Sequence, residues 1–374
     1  MPDGTLPRPG DITNRTLRSA EDLVAAGLLP EAAREAAARV AERYSISVTQ
    51  SVRALIDPTD PADPIARQYI PDPAELVTGP QEMADPIADE PFSPVKGVVH
   101  RYPDRALLKP LLACPVYCRF CFRREVVGPD GGLLTEAELD AALDWFARTP
   151  QVREAILTGG DPLMLSPRRL GHILARLSAM PHIEIIRLHS RVPMADPARV
   201  TPALLRALET EKALFLCVHA NHAREFAEPA RAALARLARA GIPLLGQSVL
   251  LRGVNDSAGA LEALFRAMLR CRVKPYYLHQ LDRAPGTARF EVPIEEGRAL
   301  LRQLRGRLTG LAWPTYVLDV PGGRGKAPLG PDFAAPEEGG GWRVEPPLGG
   351  APHRHGPVDG PAREPDRPAP PAPQ

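Results

Sequence analysis

The chain has 374 residues, 44% hydrophobic and 24% charged, with a formal net charge of +1. That composition fits a globular protein of one large or two ordinary domains, and the near-zero charge offers no basic field for nucleic acid. No run approaches 18 apolar residues, so no membrane-crossing helix is expected, and five cysteines are too few for a secreted disulfide scaffold.

Taken in order, the first nineteen residues lack an apolar signal core, which predicts a cytoplasmic protein. Residues 1–64 read as an N-terminal helical extension with a proline-rich linker, the stretch over 58–76 being extended chain. From about residue 105, short β-rich runs alternate with amphipathic helices. The runs are 106–113, 154–159, 183–190, 213–219, 243–251 and 273–280, with a seventh at 315–320. Helical patterns fill the gaps, as over 135–149, where Leu139, Leu143 and Phe146 recur at helical spacing behind Thr135 and Glu136. Others cover 228–241 and 258–271.

Near-continuous apolar strands separated by helices imply parallel pairing. The pattern alone suits a doubly wound sheet or a partial barrel. Polar, chemically capable residues stand at many strand ends: Cys114, Gly159-Gly160-Asp161, His189-Ser190-Arg191, His219, Gln247 and Asp282. Convergence from several strand ends favours an α/β fold of the partial (β/α)6 TIM-type barrel class. The core domain is expected over 65–334, followed by a disordered proline- and glycine-rich tail over 335–374. His353 and His355, in that tail, read as solvated rather than metal-binding.

"CPVYCRFCFRR", residues 114–124, holds Cys114, Cys118 and Cys121 within eight positions. Zinc would need a fourth ligand, and no second cysteine pair exists. A cubane iron–sulfur cluster needs one thiolate per iron, so three leave one iron open. Cys217 and Cys271, alone in apolar runs, read as packing residues.

Cys-x3-Cys-x2-Cys at the end of a first strand resembles the signature of radical S-adenosylmethionine enzymes. Seven segments, in order, resemble the lysine 2,3-aminomutase family: "HRYPDR" (100–105), "YCRFCFRR" (117–124), "TGGDPL" (158–163), "HSRVP" (189–193), "QSVLLRGVND" (247–256), "KPYYLHQLD" (274–282) and "PGGRGK" (321–326). The likeness spans about residues 65–332.

The resemblance implies a radical S-adenosylmethionine fold and three cofactors: a [4Fe-4S] cluster on Cys114, Cys118 and Cys121, S-adenosylmethionine, and pyridoxal 5′-phosphate on Lys326. It implies that Gly159, Gly160 and Asp161 meet the methionine ammonium, with His219 and Gln247 nearby. Arg101, Tyr102 and Arg105 match positions that contact the coenzyme phosphate and ring. Arg123 matches the residue for the substrate carboxylate, and Asp282 and Asp319 match those for a lysine ε-ammonium. A nucleotide loop at "PGGRGK" is excluded by Val320 and Ala327, where glycine and Ser/Thr are required.

The implied reaction is interconversion of L-lysine and β-lysine, with an electron donor such as flavodoxin or ferredoxin and no nucleic acid or membrane partner. Three alternatives stand: β-lysine production for elongation factor P, another substrate such as glutamate, or a catalytically silent cluster-binding relative. No cysteine follows Cys271, and Ser257 stands where lysine-degrading members have a cysteine. Without that zinc site the family's tetramer is not implied, and a homodimer or a monomer stands equally beside it.

Overall fold

The computed structural model describes residues 15–129, 131–338 and 340–356. The first fourteen residues and 357–374, nearly half of the expected tail, lie outside the described residues. The chain divides into two compact units, Met1–Gly330 and Pro331–Gln374.

The first unit is built on a nine-stranded sheet whose spatial order follows the chain. Its strands are β1 (Val98–Tyr102), β2 (Arg105–Leu111), β3 (Glu154–Gly159), β4 (Ile185–Ser190), β5 (Ala213–His219), β6 (Leu244–Val249), β7 (Val273–His279), β8 (Thr315–Asp319) and β9 (Lys326–Pro328). β2 to β8 are parallel throughout, while β1 and β9 add antiparallel strands at either side. The sheet curls until those outermost strands approach: the Lys326 backbone N–H donates to the Tyr102 hydroxyl at 2.8 Å. This is the expected partial barrel, with a seventh parallel strand completing the six β/α units.

Among the described residues, four short α-helices precede the sheet: α1 (Ala20–Ala25), α2 (Arg34–Ala41), α3 (Gln50–Arg53) and α4 (Ala66–Tyr69). Between or after the parallel strands come α5 (Glu136–Ala147), α6 (Pro167–Ser178), α7 (Val192–Ala195), α8 (Pro202–Ala207), α9 (Glu228–Arg239), α10 (Ala258–Arg270) and α11 (Ile294–Leu304). Local chemistry sets their starts. Thr135 caps α5 in a reciprocal box with Glu138, and the Ser257 hydroxyl accepts from the Ala260 N–H to cap α10.

The main core lies between these helices and the outer face of the sheet. Strand alternation sorts residues cleanly: on β5, Leu214, Leu216 and Val218 join that core, while Phe215 and His219 line the barrel's interior cavity. Leu139, Leu143 and Phe146 of α5 are all buried in the core, as their spacing predicts.

Two expectations are corrected. The stretch over 58–76 is folded, not an extended linker: Ile65 and Tyr69 join a second core with Leu17, Leu23 and Val116, and Gln68 and Glu75 are fully buried. Prolines break the helical pattern there without preventing packing. The expected tail contains an antiparallel three-stranded meander, β10 (Ala334–Pro336), β11 (Trp342–Val344) and β12 (His353–His355). His353 and His355 sit exposed on its last strand. Cys217 is fully buried, as expected of a packing residue, and its thiol donates to Gln247 Oε1 at 3.7 Å.

Candidate active site

A cavity of about 490 Å³ occupies the barrel and is lined from every strand of the nine-stranded sheet. Lys326, Arg101, Tyr102, Arg105, His219, Gln247, Arg123, Asp282 and Asp319 all line it. The structure therefore brings together nine residues that the sequence scatters over more than 220 positions.

The cysteine loop follows β2 and is held from behind by the N-terminal helices. The Arg119 N–H donates to the Gln68 carbonyl at 2.9 Å, and the Ser47 hydroxyl donates to the Pro115 carbonyl at 2.7 Å. Arg119 reaches Glu75 Oε2 through NH2 at 2.6 Å, and Arg124 binds the same oxygen. The basic motif thus divides: Arg119 and Arg124 turn inward as structural cations, and Arg123 turns toward the cavity. Cys114, Cys118 and Cys121 are half-buried free thiols. Burial raises all three pKa values, Cys118 to about 11, and the charges of Cys121 and Cys118 push Cys114 further up. Three thiols in one sheltered loop, whose ionised forms would repel one another, suit a polynuclear iron centre that takes up their charge.

Gly159 and Gly160 lie under the start of this loop. A Cβ on Gly160 would stand 2.3 Å from the Ala113 carbonyl oxygen, and Gly159 has φ +108°. Only glycine admits that approach and that conformation. Asp161 departs from expectation. Its carboxylate accepts from the Leu163, Arg191 and Val192 N–H groups and the Ser190 hydroxyl, at 2.7–3.0 Å. With its oxygens so engaged, Asp161 ties the end of β3 to the turn after β4, and a cofactor ammonium finds no free carboxylate there.

On the opposite side, the "PGGRG" turn places Gly322, Gly323 and Gly325 at positive φ and reverses the chain. β9 then pairs with β8 so that Lys326 faces Asp319. Lys326 Nζ lies 2.6 Å from Asp319 Oδ1, and His279 Nδ1 lies 3.2 Å from Oδ2. Burial raises the Asp319 pKa, but the His279 hydrogen bond and Lys326 outweigh it and hold the carboxyl well below its usual range. Burial also lowers His279, so this ring donates as a neutral imidazole. Asp282 is the contrast. Among the described residues no hydrogen bond or ion pair reaches its carboxylate; burial first, then the charge of Asp319, pushes its pKa up to about 7.

Arg123 donates through Nε to Asp89 Oδ2 at 2.7 Å. Asp89 also pairs with Arg101 at 2.8 Å and Lys109 at 3.3 Å, so one buried acid orients three cations. Arg105 stacks 3.6 Å from the Tyr102 ring centroid and bonds Asp104. Sequence reasoning missed Asp89, whose only signal was that three cations behind one cavity need a counterion. It also missed His279, which carries a buried Nε2 without a hydrogen-bond partner and lies within the quoted "KPYYLHQLD".

The radical SAM superfamily pattern matches residues 108–263, from β2 into α10. The L-lysine 2,3-aminomutase of Clostridium subterminale is 40% identical over 299 residues, covering 80% of this chain and 72% of that protein. That of Escherichia coli strain K12 is 39% identical, covering 76% of this chain and 83% of the relative. This chain belongs to the lysine 2,3-aminomutase family. A glutamate 2,3-aminomutase of Clostridioides difficile strain 630 is 34% identical, covering 79% and 69%. The barrel is accordingly the radical S-adenosylmethionine fold, and the lysine 2,3-aminomutase family is one of isomerases. Its cofactors are a [4Fe-4S] cluster, S-adenosylmethionine and pyridoxal 5′-phosphate. Among the described residues, no helix is long and apolar enough to cross a membrane.

Proposed function

We propose that this protein interconverts L-lysine and β-lysine. The observation that carries the substrate choice is Asp282, a sheltered carboxylate without a partner, in a cavity shared with Asp319, Lys326 and Arg123. A half-buried carboxylate with no hydrogen-bond or ion-pair partner among the described residues is completed by a cation from the ligand. The lysine ε-ammonium supplies it, whereas a glutamate side chain would add a third negative charge.

Cys114, Cys118 and Cys121 would hold the cluster, with Gly159, Gly160, His219 and Gln247 beside S-adenosylmethionine and Asp161 fixing the loop beneath. Cluster and S-adenosylmethionine together supply a radical able to abstract hydrogen, and a one-electron donor such as ferredoxin completes the system. Lys326 would carry pyridoxal 5′-phosphate, with Arg101, Arg105 and Tyr102 about its phosphate and ring. That coenzyme supplies a conjugated system that spreads an unpaired electron while an amino group moves.

The chain's own residues set the order of events. Asp89 takes Arg123 Nε, and the rest of the guanidinium fork is left for the substrate carboxylate. Lys326 reacts as a free amine, so it must leave its contact with Asp319. Asp319 is then open to the second cation of the site, and the ε-ammonium takes the place of the lysine it displaced. Arg123 and the two acids so bracket a substrate by both charged ends.

Anaerobic reconstitution followed by amino-acid product analysis with lysine, glutamate and arginine tests this reading. β-Lysine should form from lysine, and Lys326→Ala should abolish turnover while leaving S-adenosylmethionine cleavage intact. Borohydride trapping should place the pyridoxyl group on Lys326. Faster isomerisation of glutamate than of lysine overturns the substrate assignment.

A further inference from the structure

One wall of the cavity carries a donor set of which the proposed reaction uses only His219, beside S-adenosylmethionine. Cys217 and His219 are two apart on β5 and so face the same side, and His189 of β4 stands directly opposite Cys217 in register. His189 Nδ1 and His219 Nε2 are 3.2 Å apart. One nitrogen from each ring and Cys217 Sγ all lie within 4.8 Å of one another. Gln247, the register partner of His219, brings its Oε1 to 3.7 Å from the same sulfur.

We propose that His189, Cys217 and His219 form a binding site for a thiophilic divalent cation, zinc, whose occupancy excludes S-adenosylmethionine from this wall. The exclusion rests on the reading above, in which His219 and Gln247 border S-adenosylmethionine; the metal site itself does not.

The geometry suits a tetrahedral ion. Two imidazole nitrogens bound at about 2.0–2.1 Å on tetrahedral zinc stand about 3.3–3.4 Å apart, near the observed separation. Two nitrogens and one thiolate are a borderline-soft set that selects zinc over oxygen-seeking magnesium or calcium. The fourth position falls to the Gln247 amide oxygen or to water from the cavity.

The same surroundings limit the affinity. Arg187 and Lys326 bear on these groups, and a zinc–thiolate unit keeps one net positive charge. A site ringed by cations binds zinc reversibly, as an inhibitory site does, and not with the permanence of a structural one. Without metal, the two neutral imidazoles share one proton and the thiol rests on Gln247, so the trio holds together as packing alone. The experiment decides between these states.

The protein is reconstituted with its iron–sulfur cluster, kept free of S-adenosylmethionine, and titrated anaerobically with zinc. Metal analysis should find one zinc per chain with the iron content unchanged. Cobalt, used as a stand-in, should give tetrahedral visible bands and a thiolate charge-transfer band, a readout that needs no variant. Cys217→Ala and His189→Gln should lose the zinc yet keep cluster iron and S-adenosylmethionine cleavage. Excess S-adenosylmethionine should expel zinc from the wild type, and zinc should inhibit cleavage by the wild type but not by Cys217→Ala. Stoichiometric zinc in Cys217→Ala, zinc gained only as iron is lost, or no zinc above background each overturns the site. Zinc that binds but survives excess S-adenosylmethionine overturns the exclusion. Neither outcome touches the lysine assignment, which is read from products formed without zinc.

Discussion

Glu75, fully buried behind the cysteine loop, and Asp282, half-buried at the mouth of the barrel, are carboxylates with opposite surroundings. Glu75 is met by Arg119, Arg124 and Arg289, and its Oε1 also accepts from the Asp72 N–H at 2.9 Å. Burial raises its pKa, but the guanidinium groups prevail and the carboxyl stays below its usual range. Asp282 faces Asp319 and an open cavity, and its pKa climbs to about 7. Structural charge is paired within the chain. At the site, charge is left incomplete so that a ligand completes it.

The largest expected effect breaks the closed side. Glu75→Gln leaves three arginines around a neutral group, and removing one partner of a buried pair costs about 3–5 kcal/mol. Thermal unfolding should shift strongly downward and iron loading should fall with it, because Arg119 and Arg124 carry the cysteine loop. Stability and iron content unchanged from wild type would show that this cluster is not closed in the sense argued here.

Opening the other side should spare the fold and damage substrate use. Losing one charged partner in a sheltered site costs about 2–5 kcal/mol, or roughly 30-fold or more at 1.4 kcal/mol per decade. Asp282→Asn and Asp319→Asn should each lower kcat/KM for lysine by at least that factor, with cluster and pyridoxal loading intact. If either variant instead loses cofactors, that carboxylate belongs with Glu75.

Asp89 stands between the two cases, since it is paired but its partners border the cavity. Hydrogen bonds to charged groups contribute about 1.5–3 kcal/mol. Asp89→Asn should therefore raise KM for lysine about tenfold or more and change kcat less, because Arg123 loses its orientation while the reacting groups stay in place. A fall in kcat alone, with KM unmoved, would remove Asp89 from the substrate-positioning role.

The smallest effect is read from pH. An ammonium binds the ionised form of Asp282, whose pKa is raised to about 7, so below that pH lysine binding must expel a proton. KM for lysine should fall as pH rises through about 7 and level off above it. In Asp282→Asn that step should vanish, and its persistence there would assign the titration to another group.

Much of this was legible in the sequence, for identifiable reasons. The seven parallel strands are continuous apolar runs, and the structure moves their ends by only a few residues, as where 183–190 becomes Ile185–Ser190. β1 and β9 escaped because they are short, polar and absorbed into motifs. Motif spacing located Asp161 correctly but could not say which atoms occupy its oxygens; that depends on the turn after β4, some thirty residues away. The Asp319–Lys326 contact needed the glycine turn to be folded. Cys217 is buried as its apolar neighbours implied, but its closeness to His189 and His219 needed the register of β4 and β5.

The Tyr102 hydroxyl, described above as the point where the curled sheet nearly meets itself, also bears on how the protein behaves in a crowded solution. An unpaired outer strand is a template onto which a strand from another molecule can add. β9 is three residues long, and the Lys326 N–H at its start is already taken by Tyr102 across the opening. Tyr102→Phe frees that donor on an outer strand beside a glycine turn. Such a variant should self-associate more readily than the wild type even before cofactor is added, which light scattering of the apoprotein would reveal. A hydroxyl at the rim of an active site thus doubles as a guard against aggregation.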